Sequence, residues 1–363
     1  MKKYLNIFWI FFRILKEFQT PSTRIGKKIF KFLNFFKINK VRLIKSEILI
    51  CFYDLNAAPT TFNFSEFIVL CNNEILIRKL DGYKIVFIKK KNNLINKYTQ
   101  DKKYHEVHDK ESEKWKFDNI IIPLISFTKF CVGYDIIEND EEINEYLNYQ
   151  NRFPEKYSKN FRINLDNYDL YNNIKDLNRI GLVLPNQASK YVENYITKNF
   201  DKKKKIITIT FRTQKYDEIR NSNSDDWLKI AEFLKTENFE VIIIPDTDEA
   251  YSLDHKFRNF NIYHECAFNL PLRMGIYCNA FFNYFAGGGP SSLCTLHKSN
   301  KYIMFNYGPI VGSIVHTDDS FKRFKKRPLD KFKFAKENQI LVWEKDTYEN
   351  ILKSYNKYVL EKD

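Results

Sequence analysis

The sequence predicts an α/β protein of two domains, each built on a parallel sheet. From residue 41 onward, apolar strand-like runs alternate with helix-like runs, the pattern of parallel strands joined by covering helices. Some of these runs, "FEVIIIPD" above all, are apolar on both faces, as a strand sandwiched between helices must be. The chain has 363 residues, more than one compact domain usually holds, so two domains of roughly 130 to 180 residues are expected. The divisions read from the pattern are a basic amphipathic segment over 1–40, a first domain over 41–175, a second over 176–335, and a terminal strand and helix over 336–363. A cleft between the two domains is expected.

In the first domain, "SEILICFYDL" reads as a strand, "FSEFIVLCNNEILIRKL" as an amphipathic helix and "YKIVFIKK" as the next strand. A polar loop from about Lys89 to Lys116 follows, then the less regular "NIIIPLISF" and "FCVGYDII", and a stretch rich in Asn and Tyr that reads as a linker to about Asn178. The second domain is clearer. After "RIGLVLPNQASKYVENYITKNF", helical in its later part, come the strand "KKKIITITFR", the helix "SDDWLKIAEFLKTEN" with Ser224 as its N-cap, and the strand "FEVIIIPD". The helix "NLPLRMGIYCN", the strands "AFFNYFA" and "KYIMFN", and the amphipathic helix "DTYENILKSYNKYVLEK" complete it.

Charge is concentrated at one end. Residues 1–40 hold ten Lys or Arg against one acid, Glu17, and so carry +9 of the net +14. The remaining body is nearly balanced and lacks the broad basic face that nucleic acid requires, so no nucleic-acid partner is expected. Leu5 to Leu15 is apolar but interrupted by Arg13, too short to span a bilayer. A basic amphipathic helix with Trp9 and several Phe suits the headgroup layer, or else packs on the protein itself. The six cysteines have no C-x-x-C spacing and mostly sit in apolar runs, as reduced core residues do. With no signal-peptide pattern, the expected location is cytoplasmic, with peripheral contact at the inner face of the membrane through residues 1–40.

In open α/β sheets ligands bind outside the carboxyl ends of strands. The loop after "IITITF" brings Arg212, Lys215, Tyr216, Arg220, Asn221 and Asn223 to one edge, and an arginine fork there suits paired phosphate oxygens. The bland alternative is a solvated loop whose arginines pair with Asp217, Glu218 and Asp225. Asp246-x-Asp248 after the apolar strand reads either as a chelating pair for a divalent ion or as a helix N-cap and first turn. The third loop holds Gly287, Gly288 and Gly289, three of only ten glycines, followed by Pro290, Ser291 and Ser292. Glycines without Cβ let a ligand approach the main chain, and a helix continuing through "SSLCTLH" would offer unpaired N–H groups to a phosphate. A tight turn with no ligand is the alternative. His105 and His108 lie in the polar loop without a partner motif, so no metal site is expected, and His297 ends the helix after the glycines. In the first domain, Asp54 leaves the first strand, where it would serve as a base if a hydroxyl must be deprotonated, or cap a turn.

At these residues the chain resembles glycosyltransferases of the GT-B architecture, with two Rossmann-like domains and the nucleotide-sugar donor held mainly by the second. "NYFAGGGPSSLCTLHKSNKYIMF" is similar to a block of the lipopolysaccharide heptosyltransferases, matching it at Gly289 and Leu293; Gly287 and Ser292 stand where that block has Asp and His. "DLNAAPTTFNFSEF", "TFRTQKYDEIRNSN", "PDTDEA", "NLPLRMGIYCNA" and "GGGP" resemble, in order, blocks of an uncharacterised bacterial GT-B-like family. The resemblance implies a metal-independent transferase without cofactor, acting on a cell-envelope glycan or glycolipid. Arg212, Lys215, Tyr216, Arg220, Asn221, Asp246 and Gly287 to Ser292 would bind the donor. An epimerase or hydrolase of nucleotide sugars, or a non-catalytic binding scaffold at the membrane, are the rival expectations, since fold does not determine reaction.

Overall fold

The computed structural model describes residues 46–90, 109–139, 141–162, 173–253, 255–318 and 331–360, together with Val107 and Phe321. The expected N-terminal helix, His105, His108, most of the polar loop and residues 163–172 of the linker lie outside the described residues; the rest of the linker reading is corrected, since Ile143–Leu147 is helical, Arg152–Phe153 joins the first sheet, and Ile143 and Tyr157 are buried in its core. By internal contacts the chain divides into two compact units, 1–59 with 74–100 and 130–165, and 60–73 with 101–129 and 166–363.

The first unit holds a four-stranded, all-parallel sheet of β1 (Ile48–Asp54), β2 (Gly82–Ile88), β3 (Cys131–Ile137) and β4 (Arg152–Phe153), in the order β3-β2-β1-β4. β1 and β2 run in continuous register from Ile48 opposite Gly82 to Asp54 opposite Ile88. Helix α1 (Asn63–Arg78) connects them. One face of the sheet buries Ile50, Phe52, Val86 and Ile88 under Ile143 and Tyr157, with the Phe52 and Tyr157 rings stacked at 4.4 Å. The irregular reading of "FCVGYDII" is corrected: it is β3, an edge strand whose residues alternate between half-buried and exposed. Its exposed positions are the apolar Val132, Tyr134 and Ile136, whereas Gly133 and Asp135 stand on the half-buried side, where Asp135 pairs with Lys84 of β2, so apolar character does not mark the covered face. Part of the presumed polar loop is also corrected. Lys110–Lys116 is helical, started by Asp109, whose carboxylate accepts the Ser112 N–H, and "NIIIPLISF" continues it through a π-turn and a last 3₁₀ turn.

The second unit holds six parallel strands, β5 (Ile206–Thr210), β6 (Glu240–Ile244), β7 (Asn261–Ile262), β8 (Phe282–Ala286), β9 (Tyr302–Phe305) and β10 (Gln339–Leu341). Their order is β10-β9-β8-β5-β6-β7, the doubly wound dinucleotide-fold order. Helices α2 (Asn186–Asn199), α3 (Ser224–Thr236), α4 (Leu270–Asn279) and α5 (Tyr348–Tyr358) accompany it. α3 and α5 share one core with the sheet, centred on the fully buried Trp227, whose indole N–H donates to Asp346. Polar residues inside the buried strands are paired, as burial requires. Thr208 donates to Asn283 across β5 and β8, and the hydroxyls of Thr210 and Tyr277 meet at 3.0 Å. Ser224 is the first residue of α3 and not its cap: Asn223 precedes the helix without a capping side chain, and its own N–H goes to Asp346.

Candidate functional site

The strand order places the site. From β5 the chain winds outward through β6 and β7 in one direction, and then through β8, β9 and β10 in the other. The chain therefore leaves the neighbouring strands β5 and β8 in opposite directions, and their carboxyl ends form the topological switch point where such sheets bind ligands. The β5 loop carries Arg212 and Arg220, and the β8 loop carries the glycine triplet.

These two loops meet. The Arg220 guanidinium donates to the Gly287 carbonyl at 3.0 Å, and a Cβ added to Gly288 would touch the Arg212 side chain at 3.5 Å. Arg212 is buried and largely spent on its own loop, with Nη1 donating to the Asp217 carbonyl and to Asn221 Oδ1, and Nη2 to the Tyr216 carbonyl. Arg212 therefore shapes the loop and contributes charge; the fork expected to face phosphate faces carbonyls. Tyr216 and Asn221 act through those same bonds, Asn221 also accepting the Gln214 N–H. Arg220 is less committed. Its Nε is buried without a hydrogen-bond partner among the described residues, and the Asp217 carboxylate lies 3.7 Å from Nη1.

Asp217 organises this region, and sequence reading placed it only as a counter-ion. Its left-handed backbone (φ 59°) turns the β5 loop so that its carboxylate meets residues nearly a hundred positions away. It accepts the Ser313 hydroxyl at 2.8 Å and the N–H groups of Ile314 and Val315 at 3.0 and 3.3 Å. Burial pushes its carboxyl up, but the Ile314 N–H, the Ser313 hydroxyl and Arg220 outweigh that and hold it below the usual carboxylate range. The arginines feel the reverse. Burial, reinforced by the charge of Arg212, brings Arg220 down to about 10 against the pull of Asp217; Arg212 is lowered by burial too. Two enclosed guanidiniums thus repel each other here, with Asp217 acting on both and the buried Asp246 acting on Arg212.

The glycine loop is shorter than expected. Gly289–Ser291 is a 3₁₀ turn and Ser292–Thr295 a single helical turn, so a long helix with a dipole directed at the ligand is corrected to one turn. Pro290 opens the turn, the Ser291 hydroxyl donates to the Gly288 carbonyl at 2.6 Å, and Ser292 Oγ is buried without a partner among the described residues. Gly289 is required by packing, since a Cβ there would fall 2.7 Å from the Phe62 ring.

On the other side of β5, a cavity of about 590 Å³ is lined by Phe211, Thr213, Gln214, Lys215, Ser252 and Phe257, among others. The expected D-x-D pair is divided there. Asp246 is buried and caps the next turn through Thr247 N–H, while its other oxygen accepts the Thr213 N–H and the Gln214 amide. Asp248 is exposed, lines the cavity, and is raised by burial and by Asp246 against the pull of Lys215 and Lys116. Among the described residues no group of His, Cys, Asp or Glu is arranged to hold a metal. Arg273 of α4, fully buried, donates to the carbonyls of Cys266 and Pro245 and so pins the chain beside Asp246.

Asp54 of the first unit is enclosed. Its Oδ2 accepts Tyr157 and Arg162, both at 2.7 Å, and its Oδ1 accepts the Asn56 N–H and side-chain amide. A carboxylate with no exposed surface and four donors on it offers no face for taking a substrate proton. The geometry gives it a turn-holding role instead.

No protein-family model and no curated protein matches the chain. Among solved structures it is similar to a glycosyl transferase family 9 protein from Veillonella parvula, at TM-score 0.50 and 9% identity over 86% of this chain and 97% of that one. It is also similar to the ADP-heptose lps heptosyltransferase II of E. coli (TM-score 0.42, 10% identity, 87% and 99% covered). A third is the E. coli heptosyltransferase WaaC with ADP-2-deoxy-2-fluoro heptose (TM-score 0.37, 10% identity, 86% and 99% covered). At 9% identity the first of these likenesses is one of fold: the chain has the α/β architecture of two Rossmann-like units seen in GT-B-type glycosyltransferases.

Proposed function

We propose that the protein is a glycosyltransferase that moves a sugar from a nucleotide-diphosphate donor to a cell-envelope glycan or glycolipid. The reading is carried by the unsatisfied donor at the switch point. Arg212 and Arg220 are enclosed beside Asp217, with Asp246 also acting on Arg212, and Arg220 reaches the glycine loop with its Nε unsatisfied among the described residues. A diphosphate at this loop would accept that donor, and the half-exposed main chain at Gly288 gives it an approach. The nucleoside would occupy the cavity at the ends of β5 and β6, whose 590 Å³ suits a small ligand.

Transfer breaks the bond between the anomeric carbon and the diphosphate oxygen, and negative charge accumulates on the departing phosphate. Guanidiniums already in place stabilise that charge without having to reorganise. They supply the positive charge that a metal ion provides in other transferases, so turnover is expected to survive EDTA. Lys215, at the mouth of the cavity, adds a mobile cation. The basic segment 1–40 would bring the enzyme to a membrane-borne acceptor.

Titration calorimetry with ADP, UDP, GDP and CMP tests the reading. At least one nucleotide should bind, and Arg220→Gln should weaken it at least tenfold, as loss of a charged hydrogen bond does. Absence of binding by the intact protein to all four would overturn it. Product analysis with the cognate nucleotide sugar but no acceptor separates transfer from hydrolysis or epimerisation.

A further inference from the structure

We propose that His316 is a further phosphate-contacting residue of this site, its Nδ1 taking up a proton as the diphosphate arrives. The inference rests on the donor reading above and adds to it a proton-linked ligand that sequence reading did not single out.

The placement comes first. A Cβ at Gly287 would lie 3.8 Å from Cε1 of His316, the ring carbon bonded to Nδ1, so the imidazole stands against the same glycine that Arg220 holds. His316 is fixed there by the Asp217 latch: its N–H donates to Ser313 Oγ at 2.8 Å, Ser313 donates to Asp217, and the His316 carbonyl accepts the Ile310 N–H. The ring bonds the Gly308 carbonyl, and Nδ1 is buried with no hydrogen-bond partner among the described residues. The nitrogen that meets a carbonyl must carry the proton, so Nδ1 is a bare lone pair. Buried polar atoms are nearly always satisfied, and an exception beside a ligand crevice points to a missing partner. Arg220 Nε and Ser292 Oγ, on the two loops that meet there, are unsatisfied in the same way.

The charged groups that bear on the ring are Arg220 and Arg212 on the β5 loop and Asp217 between them; Tyr307 and Phe321 pack against it edge-on. Burial first, then Arg220, pull the imidazole down to about 3, against the Gly308 carbonyl and Asp217, so it is neutral in the empty protein. A diphosphate reverses the dominant electrostatics. It screens both guanidiniums and puts anionic oxygens beside Nδ1, where a proton drawn from solvent makes a charge-assisted N–H···O bond. Diphosphate affinity should accordingly rise as pH falls from 7 toward 5.5.

The test uses the full chain with inorganic pyrophosphate and with ADP as probes. Calorimetry at pH 6 in two buffers of different ionisation enthalpy reads net proton uptake. Uptake by the wild type that is lost in His316→Gln, with about a tenfold loss of affinity, supports the assignment. Equal uptake in the variant overturns it. As a check independent of any variant's folding, the His316 ring resonance of the wild type should remain neutral between pH 5 and 7 without ligand and titrate once pyrophosphate is bound. A ring that stays neutral in the complex also overturns it. If the protein binds a nucleotide without either response, this inference fails and the donor reading stands. If it binds neither probe nor any nucleotide, the donor reading fails and takes the inference with it.

Discussion

Asp54 and Asp217 are both buried carboxylates at the carboxyl end of the first strand of a parallel sheet, one its last residue and the other on the loop beyond, yet their surroundings differ in charge and in closure. Asp54 faces one arginine, one tyrosine and one asparagine; the charges cancel and every oxygen is engaged. Asp217 faces two arginines, spends itself on the distant 313–315 turn, and leaves Arg220 with an unsatisfied donor. A neutral, closed cluster holds a turn and asks for nothing more. An open one has a donor left for something outside the chain to complete, which is what the proposed donor site requires.

The comparison breaks most decisively at Asp54. Removing one partner of a buried ion pair strands the other, so Asp54→Ala should cost about 3–5 kcal/mol in urea unfolding. Asp54→Asn should lose activity only as far as it loses folded protein; a stable Asp54→Asn protein without turnover would make Asp54 the catalytic base after all. Asp217→Asn should cost less, about 1–3 kcal/mol, since the amide keeps some of the bonds. Its mark should be faster hydrogen exchange at the Ile314 and Val315 amides. Two neighbouring glycines separate packing from binding. Gly289→Ala should destabilise by about 1–3 kcal/mol because its methyl meets the Phe62 ring. Gly288→Ala, whose backbone is extended and whose methyl makes only an ordinary contact with Arg212, should melt like the wild type and lose nucleotide affinity several-fold, read by calorimetry.

The smallest effect concerns pH. His316 is held below its ordinary value in the folded state, so between pH 6.5 and about 3 the unfolded chain binds the extra proton and stability rises with pH. Thermal melts of the ligand-free protein should shift downward as pH is lowered from 7 to 5. His316→Gln should flatten that slope, which an unchanged slope would contradict.

How much of this was legible in the sequence varied by element. β5, β6, β8 and β9 were readable because strands covered on both faces must be apolar nearly throughout, whereas β4 and β7 have two residues each and carry no pattern. β3 escaped because an edge strand mixes exposed and covered positions, and Lys110–Lys116 escaped because a charged helix lacks an apolar stripe to announce it. At the site, Arg212 and the glycines could be named because they follow buried strands. That the Arg212 fork turns inward onto carbonyls could not, since its partners are set by how residues 213–221 fold back.

The alternation of apolar and amphipathic runs determined parallel sheets with helices, and local chemistry determined where glycine and arginine stand at strand ends; both follow from periodicities that need no distant contact. The order β10-β9-β8-β5-β6-β7, the meeting of Arg220 with Gly287, and the latch from Asp217 to Ser313 and His316 were decided only by tertiary structure. Each of them joins residues dozens of positions apart, and the balance of burial, charge and unsatisfied donors that makes a site exists only once those residues share a space.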